Sequence, residues 1–384
     1  MGIAELTRNA VDVLPQGALE KKLAKGRPLR VKLGIDVTSP DIHVGRGIPL
    51  QRMRAFQDEG HMAVLIIGDY TTRIGDPSGR SAERPILSDE EIDANARKYL
   101  EQAKVILRDE PEHLEVRYNG EWLSKLTFAD VVRLTRTLTV ARLLERDDFA
   151  KRYAAQQPIS VSELLYPLMQ AYDSVAIEAD VELGGTDQLY NLLAGREVME
   201  AYGLEPQVVL TTPLLLSWDG EKMSSSVGNN IPLTAPPEEI FGRTMRIPDS
   251  QLEEWYRLVA ERPVPEGEPM EAKLALARWL VARSWGDDAA RGAEEHFTRV
   301  VRRGEAPEDL TTIALPAGED PIHVPRFIAT TFGLSTSEAR RLIDQGGISA
   351  DGAPITTYDV ERERLDGVVL QVGKRRFVRL SASS

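Results

Sequence analysis

Leu29-Arg30-Val31-Lys32-Leu33-Gly34-Ile35-Asp36-Val37, running on through Thr38-Ser39-Pro40-Asp41-Ile42-His43-Val44-Gly45-Arg46, is the stretch that decides how this chain folds. Its first half is a short apolar run that predicts a buried strand. Just past its end, Ile48, Leu50, Met53 and Phe56 form a helical pattern. Strand, tight turn and helix start in this order suit a phosphate site, because a helix N-terminus offers unpaired N–H groups and a positive dipole end. Gly45 lets the backbone approach a ligand closely. Well downstream, after the turn Asp219-Gly220, Lys222-Met223-Ser224-Ser225-Ser226 supplies a cation and three hydroxyls in five residues. Each segment alone reads as a solvated surface loop. Their co-occurrence in this order points to one fold that closes both on a nucleoside triphosphate.

Outward from this unit, apolar runs at 31–37, 63–68, 114–118, 181–183 and 208–216 alternate with helical periodicity. Buried runs separated by helices predict a parallel sheet with crossover helices, a Rossmann-type α/β fold whose ligands bind at the carboxyl ends of the strands. Between Trp122 and Asp173 helices dominate. The stripes Val131-Val132-Leu134 and Leu138-Val140-Leu143-Leu144 call for cover by a partner subunit or by the chain's own core. Ala235-Pro236-Pro237 marks a boundary, and an acidic helical region interrupted by Pro263, Pro265 and Pro269 follows to about Arg303. A second linker runs from Leu315 to Pro321. The expected division is an α/β domain at 1–234 with a helical insertion at about 122–173, an α-helical domain at 235–318 and a small α+β domain at 319–384.

The paired motifs resemble the His-Ile-Gly-His and Lys-Met-Ser-Lys-Ser signatures of class I aminoacyl-tRNA synthetases. The segments Gly68-Asp69-Tyr70-Thr71-Thr72-Arg73-Ile74-Gly75-Asp76-Pro77-Ser78-Gly79-Arg80, Leu165-Tyr166-Pro167-Leu168-Met169-Gln170-Ala171-Tyr172-Asp173 and Gly184-Gly185-Thr186-Asp187-Gln188 are similar to the tyrosyl-tRNA synthetase family in particular. Tyr166, Gln170 and Asp173 stand at i, i+4 and i+7 and share one helical face, where Asp and Gln are poor core residues but good pocket residues. The resemblance implies that Asp173 accepts from a tyrosine hydroxyl, that Tyr166, Gln170, Asp76 and Thr71 surround the amino group, and that Gln188 faces the carboxylate. Lys32 and Asp36 join this tyrosine set. It further implies ATP binding by Gly34, Thr38, His43, Gly45, Gly185, Asp187, Lys222 and Met223. His43, Arg46, Arg80, Arg84, Lys222 and Ser225 are the expected catalytic groups.

Four positions depart from the family pattern. Arg46 stands where a second His is usual, Ser225 where a second Lys is usual, Val37 where Pro is common and Lys32 where many members have a Tyr. Arg46 can still donate to phosphate and compensate for the cation missing at Ser225. Tyrosine–tRNA ligation with ATP, carrying Mg²⁺ and with no protein-ligated metal, is the activity the resemblance implies. The alternatives are a divergent paralogue that binds RNA or tyrosine in a regulatory role, and a tryptophanyl-tRNA synthetase, which would not need the Tyr166 and Asp173 pair to read a phenol.

Composition is compatible with this. The 384 residues, 42% apolar, predict two or three domains, and no run is long and apolar enough to span a bilayer. Cysteine is absent and the five histidines are scattered, which excludes disulfides and zinc clusters of the usual kind. The expected setting is cytoplasmic, and the partners are L-tyrosine, ATP, tRNA(Tyr) and a second copy of the chain. A net charge of −13 is unusual for an RNA partner, yet residues 321–384 carry nine basic against seven acidic residues. There, Ser335-Thr336-Ser337-Glu338-Ala339-Arg340-Arg341-Leu342-Ile343 with Gly346-Gly347 resembles the small RNA-binding module of a ribosomal protein. Arg340, Arg341, Lys374, Arg375 and Arg376 are its expected RNA contacts, although the last cluster reads equally well as a solvated strand end.

Overall fold

Six strands form the first sheet: β1 (Asp12–Leu14), β2 (Arg30–Ile35), β3 (Met62–Ile67), β4 (Leu114–Tyr118), β5 (Val181–Gly185) and β6 (Val208–Thr212), in the order β1-β6-β5-β2-β3-β4. The computed structural model describes residues 2–76, 87–225, 227–302, 310–373 and 376–382. All neighbouring strands are parallel except β1, which runs antiparallel along the edge of β6. The inner strand β3, Met-Ala-Val-Leu-Ile-Ile, is buried over its last five residues, as a strand covered on both faces requires.

Strand order reverses between β2 and β5, so the crevice of this sheet lies there. β2 and β3 pair along six residues, whereas β2 and β5 pair only at Val31–Val181 and Lys32–Glu182. Beyond that rung the two strands part from each other, each still paired with its outer neighbour to Ile35 and Gly185, and leave room for a ligand at their carboxyl ends.

The crossover helices are α1 (Val44–Asp58), α2 (Asp89–Ala103), α6 (Val161–Ala176) and α7 (Leu189–Ala201), with α3 (Phe128–Thr135), α4 (Val140–Leu143) and α5 (Asp147–Ala154) inserted before α6. Ser88 and Glu91 cap α2 and Ser160 and Glu163 cap α6 reciprocally, each pair satisfying two of the free N–H groups at the helix start. In the insertion, Leu134, Leu138 and Leu143 pack with Leu168, Ala171, Ala194 and Val198 of α6 and α7. Each such leucine contributes about 2 kcal/mol by burial. The opposite side of the insertion keeps Phe128 83% and Val161 73% exposed, along with Val132, Val140 and Tyr153. The apolar stripes are therefore divided between the chain's own core and an uncovered face.

Residues 1–236 with 243–284 make up one compact unit, and 237–242 with 285–384 a second. The helical turns of 252–260 end before Pro263, and α8 (Pro269–His296) starts at Pro269 and is broken at Gly286, where φ is 84°, its residues to 284 belonging to the first unit and the rest to the second. In the second, α9 (Val324–Phe332) and α10 (Thr336–Asp344) pack on a five-stranded sheet. Its strands are β7 (Thr312–Ala314), β8 (Ile348–Ala350), β9 (Ala353–Pro354), β10 (Val369–Val372) and β11 (Arg376–Ser381), in the order β9-β8-β10-β11-β7. Ser335 Oγ accepts from the Glu338 N–H (3.1 Å) to start α10. β7 lies ahead of residue 319, because Thr312–Ala314 pairs in parallel with Arg379–Ser381.

Candidate active site

A cavity of about 1020 Å³ opens at the carboxyl ends of β2 and β5, lined by residues from both distant signature segments. Backbone pairing brings those segments together. The Val44 N–H donates to the Ile231 carbonyl (2.9 Å) and the Leu233 N–H to the Ile42 carbonyl (2.8 Å), so the far end of the Lys222 segment is fastened to the turn that carries His43. Leu215 to Met223 forms a tight hairpin closed by the Met223 N–H on the Leu215 carbonyl (3.0 Å). Asn229 holds that hairpin. Its Nδ2 donates to Asp219 (2.9 Å) and the Lys222 carbonyl (3.3 Å), and its Oδ1 accepts from the Ser224 N–H (2.8 Å).

At the end formed by the start of α1, His43 caps α1 by accepting the Arg46 N–H on Nδ1 (3.3 Å), which leaves Nε2 as the ring's N–H donor. Burial pushes the His43 imidazolium down to about 3, assisted by the charges of Arg46 and Lys222, so the ring is neutral at physiological pH. Gly45 fits this packing without moving the ring, since a Cβ there would lie 3.2 Å from His43 Nδ1, closer than ordinary contact. Arg46 lines the cavity, and its Nη1 is buried with no hydrogen-bond partner among the described residues. The Lys222 ammonium, by contrast, is paired with Asp187 (2.6 Å). Ser225 also lines the cavity and accepts from Asn230 Nδ2 (3.2 Å).

At the other end, Asp36 gathers the donors. It accepts from the Tyr166 hydroxyl (3.0 Å), the Thr71 hydroxyl (2.8 Å) and the Asp76 N–H (3.1 Å). Gly68 makes this possible, because a Cβ would sit 2.4 Å from Thr71 Oγ1 and 2.5 Å from Asp36 Oδ1. Gln188 donates to Asp76 (2.7 Å). Deeper in, Asp173 accepts from the Trp122 indole (2.8 Å) and the Asn119 amide (3.3 Å). Burial pushes its carboxyl up to about 7, against the lowering effect of Lys32, Trp122 and Asn119.

Asp36, Thr71, Asp76, Tyr166, Gln170, Asp173 and Gln188 all line the cavity, as do Gly34, Thr38, His43, Gly45, Arg46, Gly185, Asp187, Lys222, Met223 and Ser225. Lys32 does not. It is fully buried behind the wall, where its ammonium bonds the Gln170 carbonyl (2.8 Å), Ser174 Oγ (2.7 Å) and Glu182 (2.8 Å), so direct contact with a substrate is corrected to a position one layer back. Arg80, Arg84, Ser226, Lys374 and Arg375 lie outside the described residues. Arg340, Arg341 and Arg376 belong to the second unit and are exposed. Asn119, Trp122, Glu182 and Asn229 escaped the sequence reading. Asn119 had a signal, since Asn119-Gly120 directly follows the apolar run at 114–118, where ligands of such sheets bind.

A parallel sheet with a cavity at its switch point, walled by a helix-capping histidine and a lysine hairpin, has the architecture of a class I aminoacyl-tRNA synthetase, and the family model described as tRNA synthetases class I (W and Y) matches residues 24–300. The tyrosine–tRNA ligase of Moorella thermoacetica is 47% identical, covering 98% of this chain and 94% of that protein, and that of Thermotoga maritima is 46% identical, covering 98% and 96%. The chain belongs to the tyrosyl-tRNA synthetase family. Among solved structures, the tyrosyl-tRNA synthetase of Archaeoglobus fulgidus complexed with L-tyrosine shares the fold (TM-score 0.62, 23% identity, 76% of this chain and 98% of that one). The C-terminally truncated mitochondrial enzyme of Aspergillus nidulans does so equally (TM-score 0.62, 22%, 76% and 91%).

Proposed function

We infer that this chain activates L-tyrosine with Mg-ATP, forming tyrosyl-adenylate and pyrophosphate, and then transfers the tyrosyl group to the 3′-terminal adenosine of tRNA(Tyr). The observation that carries this reading is the buried Asp173 carboxylate at the inner end of a cavity whose outer end is built for phosphate. A site that spends a buried acceptor on a phenol rejects phenylalanine, because the acceptor would be left unpaired; tyrosyl-tRNA synthetases are the standard example of that principle. Tyr166, Gln170, Asp76 and Thr71 would hold the ammonium, and Gln188 would face the carboxylate region.

In the activation step the tyrosine carboxylate attacks the α-phosphorus in line, the bond to the bridging oxygen breaks, and magnesium pyrophosphate departs. Charge grows on the leaving oxygens, so positioned donors contribute most. His43 Nε2–H, the start of α1, Arg46 and Lys222 are suited to this. Lys222 would leave Asp187, freeing that carboxylate for the ribose. In the second step a ribose hydroxyl of the terminal adenosine attacks the tyrosyl carbonyl and AMP leaves.

The same reading assigns 1–234 to catalysis, 235–318 to a helical anticodon-side role and the tail to RNA contact through Arg340, Arg341 and Lys374-Arg375-Arg376. The uncovered apolar face of α3, α4 and the start of α6 would be buried against a second copy. Among the described residues no helix is long and apolar enough to cross a membrane. ATP–pyrophosphate exchange run with each standard amino acid tests the central claim: tyrosine should support it, and exchange driven by tryptophan instead would defeat it.

A further inference from the structure

Lys32 and Glu182 are register partners on β2 and β5, at the last rung these strands share before the sheet opens into the cavity. They are 0% and 1% exposed, their charges lie 2.8 Å apart, and neither side chain lines the cavity. Both reach α6 at one turn. Lys32 bonds the Gln170 carbonyl and Ser174 Oγ, and Glu182 Oε1 accepts from Gln170 Nε2 (3.2 Å). Glu182 Oε2 accepts from Gln207 Nε2, and also from Ser174 Oγ at 3.4 Å. Gly195, in the interior of α7, leaves space for this network, since a Cβ there would lie 2.5 Å from Gln207 Nε2. Glycine inside a helix costs stability relative to alanine, and an apolar pair usually stabilises a core as well as a buried ion pair does. The arrangement is therefore poorly explained by stability alone.

We propose that the Lys32–Glu182 pair is a positioning device for the amino-acid pocket: it locks the turn of α6 that presents Gln170 and Asp173, so the choice of tyrosine over phenylalanine depends on two residues that touch no substrate. This rests on the role of Asp173 proposed above. Lys32 and Glu182 face Asp173 from β2 and β5, while Asn119 and Trp122 donate to it from the segment after β4. The Lys32 charge lowers the Asp173 carboxyl and the Glu182 charge raises it. Removing one or the other should therefore move the same titration in opposite directions.

The test compares Lys32→Met, Glu182→Gln, the double variant and Asp173→Ala by thermal unfolding and by tyrosine- and phenylalanine-dependent pyrophosphate exchange across pH. The double variant leaves no unpaired buried charge and guards against loss of fold in Lys32→Met. It should keep KM for ATP within about twofold, raise KM for tyrosine about tenfold, and lower the tyrosine-to-phenylalanine ratio of kcat/KM by about tenfold or more. The acid limb of kcat/KM for tyrosine should move to higher pH in Lys32→Met and to lower pH in Glu182→Gln. A folded double variant with the unaltered ratio, or single variants whose limbs move together, would overturn the proposal while leaving tyrosine activation intact. A wild-type protein indifferent to tyrosine, or to Asp173→Ala, would overturn the underlying reading and the proposal with it.

Discussion

Asp173 and His43 are both buried, and burial moves each toward its neutral form: the carboxyl up to about 7, the imidazolium down to about 3. The folded state favours the protonated carboxyl, so the stabilisation from Asp173 is present below its ordinary value of 3.8 and is lost as pH rises to about 7. Asp173→Asn, which never ionises, should therefore unfold at a higher temperature than wild type, with the gap widening across that window. Tyrosine binding should show the reverse. On the proposed reading a carboxylate accepts the phenol, so affinity should rise with pH through about 7 in wild type and stay low and flat in Asp173→Asn, as equilibrium binding across pH can establish. His43 carries no charge to lose between pH 5 and 8, a range far above its titration near 3. His43→Asn, which keeps a donor, should retain roughly tenfold or more of the exchange rate left in His43→Ala.

The start of α1 and the hairpin carrying Lys222 together set the cationic end of the site, and the chain distributes its charges between them unlike the family signature. Ser225 brings no charge to the hairpin, whereas Arg46 brings one to the helix, with a buried N–H that no group among the described residues uses. On the proposed role of its ammonium at the triphosphate in the transition state, Lys222→Ala should slow adenylate formation far more than it weakens tyrosine binding. Arg46→Ala should lower the exchange rate by about a hundredfold, the scale of one transition-state donor. Adding Ser225→Lys to Arg46→His should restore much of the loss. Single-turnover adenylate formation checks all three, and equal losses in binding and rate would mark a structural role.

For the whole molecule, the second unit has its own core, running from Leu315 and Ile322 through Ile343 to Leu380. Every described residue of the activation site lies in the first unit. Deletion from residue 310 onward, which removes β7 with the sheet it belongs to, should leave tyrosine activation within about threefold and weaken tRNA charging in a salt-dependent manner. Charging that matches the full chain at moderate salt would count against RNA contact by this unit. Phe128→Glu with Val161→Glu places charge on the uncovered face of the insertion. If that face joins two copies, sedimentation should report a monomer for the variant and a dimer for wild type.

Much of the catalytic face was legible because it is written in local periodicity. Tyr166, Gln170 and Asp173 fall on one side of a helix by spacing alone, and a strand, turn and helix around His43 place a phosphate site without reference to any other part of the chain. The Lys222 segment was legible by composition, but only tertiary pairing of 42–44 with 231–233 brings it to His43. Lys32 shows where sequence stops. Its place, where many members of the family have a Tyr, suggests substrate contact, yet Lys32 sits at the last rung that β2 shares with β5, where Glu182 and α6 take up its ammonium. Glu182, Gln207 and Gly195 carry no motif, because a buried polar network is defined by which atoms meet across elements distant in sequence. The sequence by itself determined the buried strands of the sheet, as continuous apolar runs, and the shared helix face of Tyr166, Gln170 and Asp173, by spacing of 3.6, while the other expected pocket residues rest on the family resemblance. Which charges are paired, which are left to meet a ligand, and which titrate near neutrality were decided by the tertiary structure, because burial and proximity are properties of the packed chain.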